Sequence, residues 1–285
     1  MASVRQISRR IRSVQNTAKI TKAMAMIAAS KLRRSQDAAT QGRYYANSMK
    51  EMVSNVVSQI GDEIANQPLA HQRDSKNVGV LFITPDRGLT GGLNSNLMRA
   101  LDSFMASQNI PSKIIGVGKK GVDYSRRNNV ELLGQFSGIG DKPKSETTVE
   151  IANLLIEEFK IGNVDSFFVG YSQFITTTLQ KPVITQLLPI QTDQISASTK
   201  EYIYEPAPGK LLSSLLPRYI QTLVHHSILE ANASEQSARM VAMNQATDNA
   251  NEMVGDLTLL MNKKRQETIT NELLDIVGGV SALEG

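Results

Sequence analysis

Residues 1–60 read MASVRQISRRIRSVQNTAKITKAMAMIAASKLRRSQDAATQGRYYANSMKEMVSNVVSQI, and this stretch decides the fold of the chain. Small or apolar residues recur in it at alternating steps of three and four, a period typical of a helix face that packs on a partner helix. This face, called the seam below, consists of Val4, Ile7, Ile11, Val14, Ala18, Thr21, Ala25, Ala28, Leu32, Ser35, Ala39, Gly42, Ala46, Met49, Val53, Val56 and Ile60. Because its middle residues are small, a partner helix can approach closely there.

The limits of this helix are also marked in the sequence. Ser3 and Gln6 have the spacing of a capping box, and no proline occurs before Pro68. A helix of this length would extend roughly 90 Å. A compact domain of this chain would be much shorter, so we expect most of the helix to project from it. It must then pair with another helix, because a lone helix is marginal in water.

Composition and charge narrow the class of protein. A hydrophobic content of 41% and a charged content of 20% are typical of a folded, soluble protein. No apolar run approaches the ~20 residues that would cross a bilayer. The chain has no cysteine, which excludes disulfides, thiolate catalysis and cysteine-based metal sites.

The net charge of +4 hides an asymmetry along the chain. Residues 1–50 contain eleven Lys and Arg against Asp37 alone, which gives +10, whereas the remaining 20 basic and 26 acidic residues give −6. A surface of this kind favours a negatively charged partner. The Arg-rich start also resembles a mitochondrial transit peptide. We favour a structural helix, because the seam continues to residue 60, and an ordinary solvated face stays open as the simpler explanation of the charge.

Between residues 75 and 195 short apolar runs alternate with amphipathic segments. We predict strands at 78–84, 113–118, 130–136, 164–174 and 181–190, and helices at 97–109, 119–129 and 147–162. Strands that alternate with helices favour a mainly parallel, Rossmann-like sheet with helices on its faces.

A second long helix is predicted from about Lys210 to the C-terminus, with Pro217 either kinking it or marking its start. It has two runs with seam spacing: Ile220, Leu223, Ser227, Ala231, Ser234, Ala238 and Val241, then Ile269, Leu273, Ile276, Val280 and Leu283. The two terminal helices have comparable length, so we predict that they form a long antiparallel coiled coil attached to a central α/β domain. The predicted limits are 1–62, 75–195 and 208–285.

Candidate sites for chemistry are few. GLTGGLN (88–94) follows a strand and precedes a helix, but it has neither the Walker spacing nor GxGxxG, so a structural turn is the better interpretation. The three histidines, His71, His225 and His226, fit no Ser/His/Asp or metal-ligand spacing. We therefore predict no catalytic residue, no cofactor-binding residue and no metal ligand.

Several stretches together resemble one family. KITKAMAMIAASKLRRSQD (19–37) is similar to the N-terminal helix of the gamma subunit of F-type ATP synthases, and TPDRGLTGGLN (84–94) is similar to that family's central loop. SEQSARMVAMNQATDNANEM (234–253) and KRQETITNELLDIVGG (264–279) resemble its C-terminal helix. The resemblance takes in essentially the whole chain. One departure is Gly279-Val280, where the family usually has Gly-Ala, and we expect only a local packing adjustment there.

The resemblance implies a non-catalytic rotor shaft without a cofactor. Its expected partners are three alpha and three beta subunits, the epsilon subunit and the membrane ring of c subunits, with no nucleic acid and no insertion into the membrane. It also implies a peripheral location on the cytoplasmic face of a bacterial inner membrane. By turning inside the alpha–beta ring, the shaft would couple ion flow to ATP synthesis or hydrolysis. Small residues such as Ala28, Ala29, Ser30 and Ala242 would suit a sliding surface.

By motif match, a set of helix positions is expected to meet beta-subunit loops or to stabilise the rotor. The main candidates are Met24, Arg239, Gln266 and Thr270, and the further candidates are Lys22, Lys31, Arg33 and Arg34. Simple explanations stay open: Met24 and Thr270 would equally suit seam packing, and Arg239 and Gln266 plain exposure to solvent.

Two other functions remain open from the residues alone. The basic first helix would suit a nucleic-acid-binding coiled coil, although its charges are spread over fifty positions and show no base-reading pattern. A nucleotide-binding enzyme would depend entirely on GLTGGLN.

Overall fold

The structure, a computed structural model, describes residues 3–61, 64, 67–74, 76–108, 110–141, 143–191 and 204–283, with side chains up to residue 278. The described chain forms two compact units, one made of residues 1–27 with 240–285 and the other of residues 28–239. The two long helices contribute to both units. The predicted domain limits of 1–62, 75–195 and 208–285 follow a different division and stay a prediction.

The first helix, α1 (Val4–Ile60), begins at the predicted capping box. The Ser3 amide donates to Gln6 Oε1 at 3.0 Å, and the Gln6 amide donates to Ser3 Oγ at 3.3 Å. Every one of the seventeen seam positions is buried or half-buried, while the residues between them are mostly exposed. The seam is therefore confirmed. Ala28 is 1% exposed and so lies inside the helix contact, which corrects its assignment to a sliding surface.

The last helix, α5 (Pro208–Leu283), contains Pro217 inside it, so this proline does not mark the start of the helix. Residues of α1 with rising numbers meet residues of α5 with falling numbers. Thr21 contacts Thr247 in the first unit, and Arg43 contacts Glu230 in the second. The helices are antiparallel, as predicted. The Leu229 side chain of α5 packs directly on Gly42 of α1, where a Cβ would lie 2.9 Å from Leu229 Cδ1.

In the unit formed by residues 1–27 and 240–285, burial on α5 ends near Lys264. Residues 265–278 are all exposed, and among them Ile269, Leu273 and Ile276 are 50%, 57% and 64% exposed. The register explains this, because the partner of Thr247 is Thr21 and α1 begins only seventeen residues before it. The prediction that the second apolar run packs as a seam is thus wrong for these three residues within the chain. The side chains of Val280 and Leu283 lie outside the described part of the chain.

The unit formed by residues 28–239 contains a five-stranded sheet. Its strands are β1 (Val78–Ile83), β2 (Ser112–Val117), β3 (Glu131–Phe136), β4 (Ser166–Phe174) and β5 (Gln180–Leu188), in the order β3-β2-β1-β4-β5. The first four are parallel and β5 pairs antiparallel with β4. The predicted mainly parallel sheet is confirmed.

Helices cover both faces of this sheet. On one face α2 (Leu93–Gln108) and α3 (Lys119–Arg127) pack through Leu97, Leu101 and Tyr124. On the other, α4 (Ser145–Ile161) packs beside the end of α1 and the start of α5, with the buried residues Val56, Phe159 and Ile220 in one core. Successive side chains of β1 point to opposite faces of the sheet, so Phe82 belongs to the first core and Leu81 to the second. The sheet is therefore buried on both sides.

Candidate functional site

The solvent-facing surface of α1 is strongly basic. Of the eleven Lys and Arg in residues 1–50, ten are exposed and Lys31 is half-buried. Ion pairs within the described residues involve two of them: Lys31 with Asp141, and Arg43 with Glu230. The others, including the predicted residues Lys22, Arg33 and Arg34, present their charges to solvent. This surface is available to an acidic partner.

Met24 is half-buried next to the seam residue Ala25. Gln266 and Thr270 are exposed on the part of α5 that lies beyond the pairing with α1. Thr270 therefore does not pack in a seam within the chain. Exposure of Gln266 and Thr270 would leave both free to meet another subunit, and that role stays a prediction.

Two other predicted residues bind inside the unit of residues 28–239. Lys31 Nζ lies 2.6 Å from Asp141 Oδ2, in the loop after β3. Arg239 is 13% exposed at its side chain, so it is not merely exposed, and its Nη2 lies 2.8 Å from Glu235 Oε1. Burial raises the pKa of Glu235, and the Arg239 guanidinium offsets part of that rise. Both side chains thus bind residues of their own chain, and their predicted role towards another subunit or within the helix pair stays a prediction.

The central loop is held by its own carboxylate. Asp86 Oδ1 accepts the Lys119 amide at the start of α3, and Asp86 Oδ2 accepts the Gly138 amide, both at 2.9 Å. Exposed amides at a helix N-terminus are a usual place for a phosphate. At the N-terminus of α3 the Asp86 carboxylate already accepts one of these amides, that of Lys119. Leu89 and Gly91 have φ of 64° and 55° in the turn that leads into α2. The loop thus has the geometry of the predicted structural turn.

A buried ionic cluster lies between α1, α5 and β4, and the sequence did not single it out. Glu230 is 1% exposed at its side chain, and its Oε1 lies 2.6 Å from Arg43 Nη2 and 3.4 Å from His226 Nε2. Burial raises the pKa of Tyr171, and the nearby Glu230 raises it further. Burial lowers the pKa of His225 and of His226. In the sequence, Glu230 stands out only as a charged residue beside the seam positions of the last helix. A sequence pattern does not show whether such a charge is buried.

None of the described helices combines the length and the apolarity that a bilayer crossing requires. No group of three or more His, Cys, Asp or Glu side chains in the described ranges is placed to hold a metal ion.

The fold is a long antiparallel helix pair joined to a mainly parallel sheet that is covered by helices on both faces. Comparisons with known proteins identify the class of protein that has this fold. The family described as ATP synthase matches residues 3–283. The ATP synthase gamma chain of Dehalococcoides mccartyi strain 195 is 49% identical over 286 residues, covering 99% of this chain and 100% of that one. The gamma chain of Moorella thermoacetica is 43% identical, with 100% of both chains covered. The chain belongs to the ATP synthase gamma chain family.

Two of the solved structures with the same fold are chains of mitochondrial complexes. A chain of the Tetrahymena thermophila ATP synthase central stalk and c-ring structure is 25% identical, with a TM-score of 0.61, 80% of this chain covered and 99% of that one. A chain of the Euglena gracilis ATP synthase rotor structure is 20% identical, with a TM-score of 0.65 and coverage of 93% and 98%. Membership of the family also favours a subunit of an ATP synthase over a nucleic-acid-binding coiled coil.

Proposed function

We propose that this chain is the central rotor shaft of an F-type ATP synthase and that it turns inside a ring of three alpha and three beta subunits. The observation that carries the proposal is the end of α5. Residues 265–278 continue α5 beyond the point where α1 has residues to pair with them. They expose the apolar side chains of Ile269, Leu273, Leu274, Ile276 and Val277. Apolar surface of this extent on a helix indicates a site of association with another protein.

The shaft itself is proposed to be non-catalytic. Its part in the reaction is mechanical: its asymmetric surface places the beta subunits in different nucleotide-binding states, while ion flow through the c-ring drives its rotation. The solvent-facing charges on α1 suit this task. Exposed ion pairs contribute ~0–1 kcal/mol each, so contacts of this kind can form and break at every step of rotation.

The proposed location is the cytoplasmic face of a bacterial inner membrane, where the chain would be held by its partner subunits, the epsilon subunit among them. Support comes from the relatives in Dehalococcoides mccartyi and Moorella thermoacetica, which match over their full lengths. Fractionation of cells that express the complex tests this proposal. The chain should sediment with membranes and should be released together with the alpha and beta subunits without detergent.

Co-expression with alpha and beta subunits tests the function. We expect an assembly of three alpha, three beta and one copy of this chain that hydrolyses ATP, and no hydrolysis by the chain alone. A truncation after Lys264 removes the exposed apolar end and should weaken the assembly, whereas a control truncation after Val277 keeps most of it. Elution of the full-length chain apart from the alpha and beta subunits would refute the proposal.

A further inference from the structure

The loops at the carboxyl edge of the sheet contact the two long helices. Strands β1, β3 and β4 are parallel, so the loops that follow them lie at one edge, together with the turn from β4 into β5. These carboxyl-edge loops are residues 84–92, 137–141 and 175–179. In open α/β sheets this edge is the usual place for a bound ligand. Here the loops bind α5 between residues 232 and 239, and α1 at Lys31.

Asp141 joins both helices to one loop. Its Oδ2 lies 2.6 Å from Lys31 Nζ on α1, and its Oδ1 accepts a hydrogen bond from Gln236 Nε2 on α5 at 3.1 Å. The carbonyl of Gly140 accepts a further bond from Asn232 Nδ2 at 3.2 Å. The Asp141 carboxylate therefore binds both α1 and α5 at the same loop of the sheet.

The other two loops bind the adjoining turn of α5. Ser237 Oγ donates to the carbonyl of Thr177 at 2.6 Å, and Arg239 Nη2 donates to the carbonyl of Gly88 at 3.4 Å. Gln236 and Ser237 are 3% and 0% exposed. The hydrogen bonds thus approach this part of α5 from three loops, and the donors Gln236 and Ser237 are buried, whereas the side chain of the acceptor Asp141 is 39% exposed.

The loops are in turn fixed to the sheet. Asp86 accepts amides from Lys119 and Gly138, so it links the loop after β1 to the loops after β2 and β3. Thr84 Oγ1 donates to the carbonyl of Val117 at 3.0 Å and accepts the Gly121 amide at 2.7 Å. A force applied to one of these loops is therefore passed to the strands rather than absorbed by loop movement.

We propose that Asp141 is a positioning residue for torque transfer, which locks the helix pair to the sheet against rotation about the helix axes. An apolar contact alone allows a helix to roll with little loss, because hydrophobic packing is not directional. Hydrogen bonds are directional, and bonds from three loops oppose rolling. This inference rests on the proposed rotor function, since a shaft loses work wherever it twists against its base.

The test compares Asp141→Ala and Asp141→Asn with Asp123→Ala in the complete complex. Asp123 is an exposed acid on α3 whose carboxylate forms no ion pair or side-chain hydrogen bond in the described ranges, so it serves as the matched control. A bead is attached to the sheet while the alpha–beta ring is fixed to a surface. We expect the angular variance of the bead at a dwell to rise roughly twofold in Asp141→Ala, because the bonds from both helices to this carboxylate are lost together. Asp141→Asn should give a smaller rise and Asp123→Ala none.

A second measurement separates torque transfer from folding. ATP hydrolysis by the assembly with alpha and beta subunits should be unchanged in Asp141→Ala, whereas ions pumped per ATP by the membrane-bound complex should fall. The exchanged pair Lys31→Asp with Asp141→Lys should restore the angular variance and the ions pumped per ATP, since the ion pair is rebuilt and the Gln236 amide can rotate to accept from lysine. This double variant also serves if Asp141→Ala does not assemble.

The outcomes distinguish the two proposals. Unchanged variance and pumping in Asp141→Ala, or failure of the exchanged pair to restore them, would overturn the role of Asp141 and leave the rotor function standing. Failure of the unmodified chain to assemble with alpha and beta subunits would overturn the rotor function itself.

Discussion

Arg43 of α1 donates to Glu230 of α5 over 2.6 Å, although 51% of the arginine side chain and only 1% of the glutamate side chain is exposed. The pair joins the two helices beside Gly42, against which the Leu229 side chain packs. A carboxylate this deeply buried depends on its partners, because the desolvation of an unpaired charge is costly.

Replacement of Arg43 by Met is therefore expected to lower the free energy of unfolding by about 1–3 kcal/mol, less than for a fully buried pair because the arginine is half exposed. Urea unfolding of the purified chain measures the change. Arg34→Met is the control, and a change within about 0.5 kcal/mol is expected there. The double variant Arg43→Met with Glu230→Leu should recover most of the loss, since it leaves no buried charge. Equal urea midpoints for Arg43→Met and Arg34→Met would contradict the prediction.

Thr21 and Thr247 form a polar contact inside the seam of the other unit. Their Oγ1 atoms are 2.7 Å apart, and both residues are 9% exposed. Replacing either one by Val should cost at most about 1 kcal/mol, because the bond between the two hydroxyls is lost while the remaining hydroxyl keeps a backbone carbonyl, that of Ala18 or Met243, as its acceptor. Replacing both should cost less than the sum of the two single changes, and a double-mutant cycle in urea measures this coupling. Strictly additive single effects would show that the contact contributes nothing.

Burial lowers the pKa of His225 below its ordinary value of 6.5. A histidine that is neutral in the folded chain and protonates more readily when unfolded stabilises the fold above pH 6.5, and this contribution is lost as the pH falls below that value. The free energy of unfolding should thus fall by up to about 1.4 kcal/mol per pH unit for this residue. Urea midpoints between pH 7.5 and 5.5 check this. The slope should be shallower in His225→Gln, and identical slopes would refute the assignment. Glu235, whose pKa is raised, gives a slope of opposite sign just above its ordinary value of 4.5.

The predicted contact of Met24 with the beta subunits is tested by Met24→Lys in the complete complex. The new cation can pair with a beta-subunit carboxylate and hold the rotor. An added interaction of up to about 1 kcal/mol would slow a rotational step by up to about fivefold, and we expect fewer ions to be pumped per ATP. Met26→Lys is the control, because it adds the same charge two residues away, at a position that is 61% exposed. Normal coupling by a fully assembled Met24→Lys complex would place Met24 away from that interface.

The helices and the sheet were predictable because they repeat a pattern over many residues. Seventeen positions of α1 gave one consistent face, and the buried strand β1 gave a continuous apolar run. The exposure of Ile269 and Leu273 could not be predicted in the same way. Seam spacing shows that a face needs a partner, but it does not show whether that partner lies in the same chain.

The loop–helix contacts were missed for a different reason. Asp141 is 110 positions from Lys31 and 95 from Gln236, and no local pattern joins them. The same holds for Arg43 and Glu230, which looked like ordinary surface charges. Long-range polar contacts depend on the register between helices and sheet, and a period read along one helix carries no information about that register.

The exposed apolar end of α5 has a practical consequence for handling the protein. A chain that displays Leu273, Leu274, Ile276 and Val277 to water is prone to aggregate when it is overproduced alone. Production together with its binding subunits would shield this end during synthesis and purification.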